Sequence, residues 1–315
     1  MKEVEQKSRE LLANMEKVMV GKERVLTLIL TALFAGGHVI LEDVPGTGKT
    51  KLAKSLAASL TGTFKRIQFT PDLLPSDVTG MNVYNRQTGE FELRKGPVFA
   101  NILLADEINR ATPRTQAGLL ESMEEGQVTI DGESLQLPRP YFIIATQNPI
   151  ETAGTFPLPE AQLDRFMMKL SVGLPTKEEE AAILSRFGKE DPYEKLTAVM
   201  DLSSVKELQE RIKEVFVHRE VENYMVEITA ATRKKDKVLM GASPRAALAL
   251  LRASKAYAAL QGREYVIPDD VKVLSVPVLA HRLKLSYGVG QGEGGKTVIR
   301  EILQSIPAPT EKFSG

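Results

Sequence analysis

A lysine and a threonine at the end of a short Gly/Pro-rich run can hold polyphosphate and a divalent cation. Asp43-Val-Pro45-Gly46-Thr47-Gly48-Lys49-Thr50 follows the apolar run HVILE and precedes KLAKSLAASL. In such a loop glycines let backbone N–H groups curl around phosphate oxygens, the lysine reaches the β- and γ-phosphates, and the hydroxyl takes Mg2+. Gly46, Gly48, Lys49 and Thr50 supply those parts, while Asp43 stands where the strict pattern asks for glycine. A literal search would instead accept Gly290-Gln-Gly-Glu-Gly-Gly295-Lys296-Thr297. Too few residues follow Thr297 for another strand-helix-strand crossover of about 30. That stretch therefore reads as a flexible surface loop.

Two acids end the apolar run 100–105, at Asp106 and Glu107. A buried strand stopping at Asp-Glu places one carboxylate beside Mg2+ and a second where it can activate water, the division of labour that phosphoanhydride hydrolysis requires. Asp106 is the metal-side acid, acting with Thr50, and Glu107 the general base. Asn148, after the run 141–145, could orient the attacking water, and an Asn-Pro turn explains it equally well. Arg245 follows Ser243-Pro244 in the first turn of a helix, where the macrodipole disfavours a cation unless an anion lies near. Arg165, in LDRF, could pair with a local acid.

The elements that must position these groups fall into two kinds. Helical stretches alternate with short apolar runs at 38–41, 66–69, 101–105, 141–145 and 168–172, a pattern that predicts a buried parallel sheet. Residues 81–93 and 128–137 carry Thr88-Gly89 and Asp131-Gly132 between alternating residues, and predict inserted hairpins. From Thr176 onward only helices are expected, at 177–187, 205–215, 221–234, 244–260 and 269–282. Thr176 with Glu179 forms a capping box, and Ser243-Pro244 and Pro268 mark helix starts. The domains read as 1–174, nucleotide-binding and α/β; 175–287, all-helical; and 288–315, a glycine-rich loop and tail.

Composition narrows the classes. Forty-one basic and forty-one acidic residues give a formal net charge of zero, which argues against nucleic acid or an anionic membrane as partner. The absence of cysteine excludes disulfides and thiol chemistry and fits a reducing cytoplasm. His38, His218 and His281 form no metal-ligand pattern. The longest apolar stretch, 25–37, falls short of the roughly 20 residues of a membrane span, and the charged N-terminal stretch is not a signal peptide.

With these residues in view the sequence resembles the AAA+ ATPases, and within them the MoxR family. VGKERV at Val20, LEDVPGTGKT at Leu41, RIQFTPDLLPSDVTG at Arg66 and FANILLADEINRATPRTQAGLLESMEEGQVTIDG at Phe99 carry the likeness. It continues through IIATQNPIETAGTFPLPEAQLDRF from Ile143, GASPRAALAL from Gly241, GREYVIPDDV from Gly262 and HRLKLSY from His281. The resemblance implies an αβα P-loop domain with a parallel sheet and hairpin inserts, an all-α lid, and ATP with Mg2+ as ligands. It implies a homo-oligomer, a hexameric ring with nucleotide between subunits. Val20 and Gly21 would lie near adenine and residues 45–50 would hold phosphate. Asn148 becomes sensor 1, Arg245 sensor 2 and Arg165 an arginine finger entering the neighbour's site. The hairpins would face the ring's pore, and a residue within 68–70 would pair with Glu107. A protein client and a von Willebrand factor A domain partner are the expected associates.

Two other readings stay open at this stage. A nucleic-acid motor could use the basic cluster Arg233-Lys-Lys-Asp-Lys237, which reads more simply as a solvated helix end. A GTP-binding switch would need an Asn-Lys-x-Asp signature, of which Gly188-Lys-Glu-Asp191 is a poor echo.

Overall fold

The protein is described by a computed structural model covering residues 1–149, 154–188, 190–286 and 293–309. Two helices, α1 (Lys2–Glu16) and α2 (Glu23–Phe34), precede strand β1 (Val39–Glu42) and helix α3 (Lys49–Ala58). Then come β2 (Phe64–Gln68), α4 (Pro75–Thr79), β3 (Gly80–Asn85), β4 (Glu90–Lys95), β5 (Ile102–Asp106) and α5 (Pro113–Glu125). They are followed by β6 (Gln127–Ile130), β7 (Glu133–Gln136), β8 (Phe142–Gln147), α6 (Glu160–Leu163) and β9 (Met168–Leu170).

Five of these strands form one parallel sheet in the order β2-β5-β8-β1-β9. Successive strand residues face opposite sides. Val39, Leu41, Ile102, Leu104, Phe142 and Ile144 enter the core that α1, α2, α3 and the later helices share. Ile40, Ile67, Leu103, Ala105, Ile143 and Ala145 enter a second core with α5. Burial on both faces is why β1, β5 and β8 are largely apolar rather than alternating, whereas the edge strand β2 exposes Lys65, Arg66 and Gln68. Every strand ends at the same edge, so the residues following β1, β2, β5 and β8 converge there.

Both expected hairpins are present, as antiparallel β3–β4 and β6–β7. Asp131 and Gly132 take φ of 50° and 87°, the two positive values that a tight Asp-Gly turn needs. His38, at the start of the sheet, is buried among Tyr141 and Phe142. Its Nδ1 accepts from the Ile143 N–H and its Nε2 lies 3.1 Å from the Met123 carbonyl, which fixes Nε2–H as the neutral tautomer.

The remaining elements are α7 (Lys177–Phe187), α8 (Leu202–Lys213), α9 (Arg219–Lys234), β10 (Val238–Met240), α10 (Pro244–Leu260), α11 (Pro268–Leu279), β11 (Lys284–Leu285) and α12 (Glu293–Ser305). The capping box at Thr176 and Glu179 is formed in both directions, and Ser243 Oγ accepts from the Ala246 N–H. The alanine-rich α10 packs on α9, α11, α1 and α2, joining the helical part to the sheet's first core.

Two expectations are corrected here. The helical part is not free of strands, because β10 and β11 pair as an antiparallel ribbon. Residues 288–315 are not only loop and tail. From Glu293 the chain is helical, burying Gly295, Val298, Ile299 and Ile302, with Lys296 paired to Glu293 at 2.7 Å. The part of the glycine-rich stretch at 288–292 lies outside the described residues.

Candidate functional site

The loop between β1 and α3 is shaped by Gly46 and Gly48, at φ of +87° and +90°, where a side chain would be strained. Gly48 caps α3, so Lys49 and Thr50 open the helix, whose N-terminus is suited to an anion. Lys49 Nζ donates to the Asp43 carbonyl at 2.6 Å and reaches the Gln147 carbonyl at 3.5 Å. Burial pushes its ammonium below the ordinary value, while the carboxylates of Asp43, Asp106 and Glu107 pull it back up. Such a half-buried cation, facing acids and carbonyls, suits a ligand that brings its own negative charge.

Asp106 and Glu107 sit at the same edge, one strand beyond β8. Asp106 is buried and accepts from Thr146 Oγ1 at 2.6 Å and from Arg66 Nε and Nη2 at 3.1 and 2.7 Å. Thr146 Oγ1 in turn accepts the Glu107 N–H at 2.8 Å. Glu107 adopts φ 56° and ψ 48°, a left-handed conformation costing a non-glycine residue about 1–3 kcal/mol. That strain turns its carboxylate out of the strand toward Gln68 Nε2 at 2.7 Å and Arg110 Nη1 at 3.0 Å. Within the expected range 68–70, Gln68 is therefore the residue that meets Glu107. Asn148 is buried just past β8, with its carbonyl accepting from Asn109 Nδ2.

Mg2+ takes hard oxygen donors in an octahedron and keeps several waters. Thr50 and Asp106 offer one hydroxyl and one carboxylate. Among the described residues no three His, Cys, Asp or Glu side chains form a metal cage. This donor set fits a cation shared with phosphates and water.

Beside the loop lies a largely apolar cleft lined by Val18, Met19, Val20, Gly46, Thr47 and Gly48, by Pro175, Ile183 and Phe187 from the helical part, and by Lys22 and Lys51. Its apolar lining suits a purine. Val20 is in the lining as expected. Gly21 abuts it, so close to Glu179 that a Cβ would overlap the carboxylate. The sequence reading missed the α7 wall, although Ile183 and Phe187 stand at the i, i+4 spacing of one helix face. Pro45 is exposed at the crest of the loop.

The two remaining arginines are elsewhere. Glu124, near the end of α5, pairs with Arg165 Nε at 3.4 Å and with Arg245 Nη2. The anion expected beside Arg245 is thus a carboxylate of this chain, and neither arginine lines the cleft. The segment carrying Arg165 is gripped by buried Arg282, whose guanidinium binds the Asp164 carboxylate at 2.7 Å and the carbonyls of Asp164 and Phe166. In the basic cluster at the end of α9, Arg233 donates to the Ala242 carbonyl and Lys235 pairs with Glu301, so part of its charge is committed within the lid. Asp191 pairs with Lys51 and caps Tyr193, and Lys189 lies outside the described residues. No helix among the described residues is long and apolar enough to cross a membrane.

Residues 38–168 match the ATPase family associated with various cellular activities, and residues 230–304 match the AAA lid domain. Protein YeaC of Bacillus subtilis is 49% identical over 300 residues, 95% of this chain and 94% of that protein. Chaperone MoxR1 of Mycobacterium tuberculosis is 42% identical over 304 residues, 93% of this chain and 80% of that protein. A crystal structure of an assigned ATPase from Cytophaga hutchinsonii superposes with a TM-score of 0.90 at 38% identity, covering 98% and 97% of the two chains. A full-length MCM homologue from Methanopyrus kandleri shares the fold alone, with a TM-score of 0.58 at 19% identity over 90% of this chain and 62% of its own.

Proposed function

The chain belongs to the MoxR family of AAA+ ATPases, and on that premise we propose that Mg2+-dependent ATP hydrolysis in a homo-oligomeric ring drives maturation of partner protein complexes. ATP hydrolysis and a chaperone-like role follow from the family. The ring, taken as hexameric, the cation and the client are the further reading. Residues 1–174 are taken as the ATP-binding domain and 175–287 as the lid, with α12 added to the latter. Zero net charge favours a protein client over nucleic acid, and a separate von Willebrand factor A domain protein is the expected recruiter. A cytoplasmic location fits the cysteine-free sequence.

The observation that carries the reading is the convergence of Lys49, Asp106, Glu107 and Asn148 at one sheet edge beside an apolar cleft. Loop N–H groups from 46–50 and the Lys49 ammonium bind the phosphates, and Val20, Ile183 and Phe187 enclose the purine. Mg2+, held by Thr50 and Asp106, would neutralise charge on the β- and γ-phosphates. Glu107 takes the proton of the attacking water, which Asn148 orients. Arg165 pairs with Glu124 and is not part of the cleft lining, which supports its use as a cation for a neighbour's γ-phosphate, while Arg245, on the same acid, is taken as sensor 2.

A pull-down with a Glu107→Gln protein in ATP tests the client reading. Specific recovery of a partner, lost when Lys49→Ala is also introduced, is expected. Identical recovery with and without nucleotide would contradict coupling of the client to the cycle.

A further inference from the structure

Asp43 breaks the strict phosphate-loop pattern, and the structure gives its side chain a place outside that loop. Its carboxylate is buried and accepts from Ser171 Oγ at 2.6 Å and from the backbone N–H groups of Val172 and Gly173 at 2.7 and 3.2 Å. Those three residues begin the linker from β9 to α7. Its backbone carbonyl meanwhile accepts from Lys49 Nζ. One residue therefore touches the phosphate-binding lysine through its main chain and the linker to the lid through its side chain.

The far end of the same linker is also pinned. Lys22 Nζ donates to the Leu174 carbonyl at 3.3 Å and pairs with Glu179 at 3.2 Å. Between the two anchors the chain delivers Pro175, and then α7 delivers Ile183 and Phe187, to the purine cleft. Hydrogen bonds to a buried carboxylate are stronger than neutral ones, and unsatisfied N–H groups are costly. The near anchor is thus a fixed point of the wall.

We propose that Asp43 is a positioning residue that ties the phosphate loop to the linker 171–176, so that purine binding depends on the loop while phosphate binding does not depend on the wall. The inference rests on the nucleotide reading above. A glycine at this position completes the strict phosphate-loop pattern but has no carboxylate, so Asp43→Gly separates the two roles.

The test is calorimetric titration of the full chain with Mg2+ and either ADP or inorganic pyrophosphate. Asp43→Gly should weaken ADP by about tenfold relative to pyrophosphate, the scale of charged hydrogen bonds lost, the ratio cancelling the charge that Asp43 exerts on Lys49. Ser171→Ala, which removes only the hydroxyl donor, should weaken ADP less and spare pyrophosphate, and keeps the test available should the glycine variant fold poorly. Equal loss of both ligands in either variant would overturn the proposal, placing Asp43 in the phosphate loop alone. Unchanged binding of both, with only a lower melting temperature, would overturn it as well. Failure of the unaltered protein to bind ADP would instead remove the nucleotide reading on which it rests.

Discussion

Gln68 Nε2 stands 2.7 Å from Glu107 Oε2, across the adjacent parallel strands β2 and β5. The amide's orientation is set from behind, since its Oε1 accepts from Arg66 Nη2 at 2.8 Å, the same nitrogen that binds Asp106. The Glu107 carboxylate, the proposed general base, is thereby held by an amide and by Arg110.

Removing that hold should matter to turnover and not to affinity. Gln68→Ala is expected to raise unstimulated ATPase by up to about tenfold, one hydrogen bond to a charged group, with nucleotide affinity unchanged. Steady-state rates and equilibrium titration check this. A fall in turnover would show that Gln68 assists the base instead of restraining it.

The paired acids should separate cleanly. Glu107→Gln keeps shape and hydrogen bonding but loses the base, so ATP binding persists while turnover falls by about 10²-fold or more. Asp106→Asn should weaken Mg2+-dependent binding, and chelation of Mg2+ should reduce the unaltered protein to the same state. Equal loss of affinity in both variants would refute the division of roles.

The two phosphate-loop patterns should behave oppositely. Lys49→Ala should abolish ATP binding, whereas Lys296→Ala, on α12 and paired only with Glu293 among the described contacts, should leave binding and turnover nearly unchanged. Titration with an ATP analogue decides between them.

Acid should destabilise the fold before the carboxylates titrate. Burial pushes the His38 imidazole down to about 4, and His281 falls well below its ordinary value for the same reason. Both are neutral in the folded protein and gain a proton on unfolding below about 6.5. Their stabilisation is present above that pH and is lost as pH falls toward 4, about 3 kcal/mol for His38 alone. Urea midpoints should therefore drop between pH 7 and pH 5, and a flat profile would contradict the buried neutral tautomer.

Much of this was legible before the structure. The central strands β1, β5 and β8 announced themselves because burial on both faces demands continuous apolar runs, and α7 and α10 were delimited to the residue by Thr176/Glu179 and Ser243-Pro244. The ribbon β10–β11 escaped because strands of three and two residues leave no periodicity. Helix α12 escaped because glycines at its start disfavour a helix, an effect outweighed by burying Val298, Ile299 and Ile302. Gln68 could be bracketed but not chosen, since strand register decides which side chain faces Glu107. Glu124, Arg66 and Asp43's grip on the linker are long-range pairings, which spacing along a chain does not encode.

The claim of a composite site between subunits rests on Arg165 serving a neighbour. A guanidinium supplied across an interface stabilises charge developing on the γ-phosphate, by roughly 10³ to 10⁵ in rate for known fingers. Arg165→Ala should bind ATP and hydrolyse it poorly, and Lys49→Ala should not bind it. The direct measurement is the ATPase rate of mixtures of these two proteins, with subunit exchange verified by native mass spectrometry. Mixed assemblies contain interfaces pairing an intact phosphate loop with an intact arginine, so the account predicts activity that neither protein shows alone. No activity at any mixing ratio, despite proven exchange, would contradict it and leave Arg165 as the local partner of Glu124.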